Sequence, residues 1–87
     1  MSDSVRCWLV ERTYDERNLV TLVYATQDGS QKHIKQQSIQ LLKQSPPTAA
    51  KTISSDQLVP VDDETTRNRY AKEVDRMAAN HSPDETI

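Results

Sequence analysis

The chain has one glycine, one cysteine and no phenylalanine among its 87 residues. Each shortage excludes something. A single glycine, Gly29, cannot build a glycine-rich loop around a phosphate. A lone Cys7 closes no internal disulfide, so nothing calls for an oxidising compartment. One cysteine and two distant histidines fall short of the four ligands of a structural zinc site. The acidic stretch Asp62-Asp63-Glu64 lacks the alternating spacing and central glycine of a calcium loop. No metal and no cofactor is therefore expected. Nor is there the run of about 18 apolar residues that a membrane helix needs. Met1-Ser2-Asp3-Ser4 has no basic start, and Trp8-Leu9-Val10 is too short for the apolar part of a secretory signal. The expectation is a cytoplasmic protein that does not enter a membrane.

What is present is an uneven charge distribution. The net charge is −2, but residues 29–55 carry Lys32, Lys35, Lys43 and Lys51 with no carboxylate. The flanking segments are acidic, at −2 for residues 1–28 and −4 for residues 56–87. A central basic block between acidic ends is the unusual charge feature of this chain.

Apolar patterning predicts an α+β domain over residues 1–81: a small antiparallel sheet of three to four strands packed against one long C-terminal helix. Val5–Val10, extending weakly to Tyr14, and Leu19–Thr26 are dense in apolar and β-branched residues, as strands are. Both runs are apolar on both faces, which predicts central strands or a face that meets a partner. Asp28-Gly29 predicts a type I′ hairpin turn, with both residues at positive φ. A third strand follows over Gln31–Gln37, with Ile34 facing inward and the lysines outward. Residues 38–43 either continue this strand or form a short helical turn capped by Ser38, the turn being favoured, and Pro46-Pro47 breaks what precedes it. Residues 48–53 predict a short edge strand. Asp62 reads as an N-cap, and Tyr70, Ala71, Val74, Met77 and Ala78 recur at helical spacing. Asp63 and Arg67 are spaced to pair on that helix. Pro83 ends it, leaving residues 82–87 as a disordered C-terminal tail.

No residue pattern carries a reaction. Cys7, between Arg6 and Trp8 on a strand, has the habits of a buried inert thiol. His33 and His81 have no orienting partner nearby in sequence. No catalytic residue is assigned, and the protein is expected not to be an enzyme. Two binding readings remain. In the first, the chain is a protein-interaction module, a homodimer or a binder of another protein, that uses an apolar sheet face at Trp8, Val10, Leu19 and Val23. The competing structural account has the segment from Ile39 to Val61 cover that second face. In the alternative reading, Lys32, His33, Lys35, Lys43 and Lys51 contact a nucleic-acid backbone, joined by Arg6, Arg12 or Arg17. Against it stand the thin density of lysines and the scarcity of aromatic stacking platforms. Lysines that merely solvate an edge strand explain the same pattern.

Several stretches together resemble a family of short uncharacterised proteins from halophilic archaea. They are Arg6–Arg12, Val20–Thr26 leading into Asp28-Gly29, Gln36-Gln37, Pro47–Ala50, and Arg67–Ala71 with Arg76-Met77. The resemblance implies a cytoplasmic setting at high salt and carries over no functional residue. That family is usually strongly acidic, whereas this chain stands at −2. High salt would screen scattered phosphate contacts heavily.

Overall fold

Two strongly apolar runs become the centre of a five-stranded antiparallel sheet in a computed structural model that describes residues 3–87. Strands β1 (Ser4–Tyr14), β2 (Leu19–Ala25) and β3 (Gln31–Ser38) form a meander. A short helix, α1 (Ile39–Gln44), follows with Ser38 as its N-cap, the Ser38 hydroxyl accepting from the Leu41 amide at 3.1 Å. Strand β4 (Ala50–Ser54) then pairs with β1 at one edge, and after a 3-10 turn at Ser55–Gln57 the two-residue β5 (Val59–Pro60) pairs with β3 at the other. Helix α2 (Glu64–Asn80) completes the α+β fold.

The β2–β3 turn is built differently from the I′ expectation. At Asp28-Gly29 only Gly29 has positive φ, at +74°. The Gly29 amide donates to the Thr26 carbonyl, and the pair Thr26–Gln31 closes the loop. Asp28 stabilises it from inside, its Oδ1 accepting from the Ser30 amide, the Ser30 hydroxyl and the Thr26 hydroxyl. The β1–β2 turn uses Asn18 at φ 62° in the corresponding role.

Both faces of the sheet are covered. Cross-strand partners share a face and alternate along a strand, so Trp8, Ala25 and Val23 lie on one side and Cys7, Leu9, Leu22 and Tyr24 on the other. Helix α2 covers the first side with Tyr70, Val74 and Met77, all buried. Each such side chain contributes about 1.5–3 kcal/mol by leaving water. Buried Leu42 of α1, Ala49 and Leu58 belong to the same core, and the segment from Ile39 to Leu58 covers the second side. The link from Ser54 to Val59 reaches at most about 18 Å, while five flat strands span about 19 Å. The sheet therefore curls, its concave side facing α1, and the Gln57 carbonyl meets the His33 ring at 3.2 Å.

Four expectations need correction. Ile34 is not inward but 50% exposed, because α2 lies over β1 and β2 and leaves β3 uncovered. The N-cap of α2 is Asp63 rather than Asp62, accepting from the Thr66 amide at 3.0 Å. Asp63 therefore makes no pair with Arg67, whose guanidinium donates to the Val61 carbonyl at 2.8 Å. Residues 82–87, expected as a disordered tail, lie along residues 47–50. The Ala49 amide donates to the Glu85 carbonyl, that of Ala50 to Pro83, and that of Ile87 to Pro47.

Candidate anion-binding site

The concave face of the sheet carries more positive charge than its sequence neighbours suggest, and a β-bulge is the cause. Register runs Leu9 to Tyr24 and then Glu11 to Val23, so Val10 is the extra residue. Simple alternation from Leu9 would have placed Glu11 on the concave face. The bulge turns Glu11 outward, where it meets Arg69 of α2 at 3.5 Å, and places Arg12 beside Leu22 on the concave side.

Across the sheet from Arg12, Lys35 stands opposite Leu22, and Lys51 of β4 stands opposite Cys7. Lys35 and Lys51 line one cleft of about 410 Å³ between the sheet and the segment 41–48. Its walls are apolar at Leu22, Leu41, Pro46 and Pro47 and polar at Tyr24, Gln37, Ser45 and Thr48. No carboxylate lines it. Asp84 borders an adjoining depression of about 190 Å³ that shares Thr48 and Lys51, and among the described residues it forms no ion pair.

The electrostatics follow from this arrangement. Lys51 is held below the ordinary lysine value, first by partial desolvation and then by the like charge of the neighbouring Lys35. Lys51 is exposed at the residue level, so screening by water limits this effect. Burial pushes the Tyr24 phenol up, and the nearby Arg12 charge opposes that. The cleft thus assembles two ammonium groups and several neutral hydrogen-bonding groups, with the Arg12 guanidinium on the same side of the sheet but outside the lining.

The remaining residues singled out from sequence are scattered. Lys32 stands opposite Ala25 on the α2 side, and Lys43 lines a separate depression with Asn18, Ser38, Ile39 and Gln40. The His33 ring is engaged by Gln57. Of the apolar set, Trp8 and Val23 are buried beneath α2, while Val10 and Leu19 are half-buried, so the four do not form one open face. Cys7 is fully buried with its thiol pushed up by desolvation. His81 is paired with Glu85. Among the described residues no three metal-ligating side chains come together, and no helix is long and apolar enough to cross a membrane. Of the three arginines that the sequence offered beside the lysines, Arg12 lies on the side of Lys35 and Lys51, and the bulge that puts it there has no signature in the residue order.

The model of a family of unknown function, DUF7967, matches residues 1–87. The chain belongs to that family. The match spans both edge strands, the cleft and α2, so the whole fold described above is the unit to which the family refers. No curated protein and no solved structure matches the chain significantly.

Proposed function

We propose that this chain is a non-catalytic binding module whose partner is anionic, received in the cleft at Lys35 and Lys51. The observation that carries the reading is the approach of two ammonium groups in a cleft whose lining contains no carboxylate. Like charges drawn together and partly desolvated destabilise the unoccupied protein, and an anion removes that cost. Three groups able to do chemistry are otherwise engaged: Cys7 is sealed in the core, His33 is held by Gln57 and His81 by Glu85. Self-association through the face around Trp8 loses support, since α2 occupies that face.

A cytoplasmic setting, and the saline archaeal one that the sequence resemblance implies, form part of the same proposal. A concave site suits such a setting, because partly enclosed charges are screened less by salt than exposed ones.

The test is an amide and side-chain NMR titration with inorganic phosphate at constant ionic strength. Saturable shifts confined to Lys35, Gln37, Thr48 and Lys51 are expected, and they should be lost in Lys35→Met. Shifts that are diffuse, or that match those produced by equal chloride, would sink the reading.

A further inference from the structure

Resting on the anion-site reading, a narrower statement about the ligand follows from how the charges and the apolar walls are disposed. We infer that the cleft takes a small organic phosphate monoester, its phosphate held by Lys35 and Lys51 and its apolar body lying against the exposed Leu41 and Pro46.

Three observations carry this. The first concerns charge. Two lysines converge in the cleft with Arg12 on the same concave face, and a phosphate monoester carries about −1.5 to −2 charge at neutral pH. A carboxylate would leave one ammonium group uncompensated. The phosphate's three oxygens also need more donors than two lysines present in one direction, and Tyr24, Ser45, Thr48 and Gln37 border the same space.

The second concerns shape. At about 410 Å³ the cleft lies in the lower part of the range for small-molecule sites, about 300–1,000 Å³. It is bounded on one side by α1 and the Pro46-Pro47 segment, whose prolines fix their own φ angles and so hold a preformed wall. An inorganic ion would leave the exposed Leu41 and Pro46 without contact. An organic body covers them, and Leu41 is 47% exposed.

The third concerns the other basic residues. A nucleic-acid backbone needs a track of cations spaced along a groove. Here Lys32 lies on the α2 side of the sheet and Lys43 lines a different depression. The cations that do converge meet at one point, which suits one compact anionic head.

The experiment is calorimetric titration of the full chain with four probes at one ionic strength: phenyl phosphate, inorganic phosphate, benzoate and a thymidine oligonucleotide of about ten bases. Phenyl phosphate should bind at least about tenfold more tightly than inorganic phosphate or benzoate. Lys35→Met and Lys51→Met should each weaken it about tenfold or more. Leu41→Ser, at an exposed position, should lower phenyl phosphate affinity about tenfold, toward that of inorganic phosphate. Equal affinity for phenyl and inorganic phosphate would overturn this inference and leave the anion site standing. Tighter binding of benzoate than of phenyl phosphate, or of the oligonucleotide than of either, would also overturn it. If no probe binds, both this inference and the anion site fail together.

Discussion

Gly29 rests directly against the Arg67 carbonyl of α2, so closely that a Cβ at position 29 would fall inside that oxygen's contact radius and within 2.9 Å of the Ala71 amide nitrogen. The β2–β3 turn is therefore a seat for the helix as well as a hairpin. The sole glycine of the chain stands where a positive φ and the absence of a side chain are both required.

Substituting Gly29→Ala should destabilise the protein by about 3 kcal/mol, combining backbone strain with displacement of α2. Asn18→Ala, also at positive φ but in an exposed turn, should cost about 1 kcal/mol. Urea denaturation of both variants checks the contrast. Equal losses would mean that helix contact at Gly29 contributes nothing.

Lys51→Met should stabilise the protein while weakening anion binding about tenfold or more. Lys51 is held below the ordinary lysine value in the folded state, so between that lowered value and the ordinary one the unfolded chain binds more protons, and stability rises with pH across that window. Removing the charge should add about 0.5 kcal/mol at neutral pH after allowance for solvent screening, or a rise of about 2–4 °C in melting temperature. The same substitution should flatten the rise in stability between neutral pH and about pH 10. Thermal melts at several pH values read both effects. A loss of stability at neutral pH would remove the argument that the lysines are strained.

Asp28→Ala should loosen the β2–β3 loop. Asp28 lies below the ordinary carboxylate range, because the Ser30 amide, then the Ser30 hydroxyl and then the Thr26 hydroxyl donate to it. Its contribution is present above the unfolded aspartate value, about 3.9, and is lost as pH falls through the lowered folded value. The substitution should cost about 0.5–1 kcal/mol at neutral pH. The gap between wild type and variant should narrow in acid. A gap that is independent of pH would show that the carboxylate's charge is not what stabilises the loop.

Deleting residues 83–87 should unfasten the segment 47–50, which loses the carbonyl partners of the Ala49 and Ala50 amides and the packing of Ile87. A loss of about 2 kcal/mol is expected from these bonds and that packing. Hydrogen exchange gives a local reading: the Ala49 and Ala50 amides should exchange faster, while those of Val20 to Tyr24 change only with global stability. Unchanged protection at Ala49 would contradict the role given to this strap.

Much of the fold was legible from residue order because the signals are local. The apolar runs 5–10 and 19–26, the Ser38 cap, the edge strand after Pro46-Pro47 and the Tyr70–Val74–Met77 stripe each depend on neighbours within a few residues. Errors fell where distant groups compete. The β2–β3 turn, which has positive φ at Gly29 alone, is packed directly against Arg67 and Ala71 of α2. Ile34 is exposed because α2 covers two strands and not three.

By itself the sequence determined the elements, the basic character of residues 29–55 and the place of the only glycine, since spacing, capping and turn chemistry act along the chain. The tertiary structure alone decided which charges meet. A bulge at Val10 reverses which of Glu11 and Arg12 faces the concave side, and sheet curl with an edge-to-edge crossing sets Lys51 beside Lys35. Those are properties of strand register and closure, in which one extra residue moves a side chain to the opposite face.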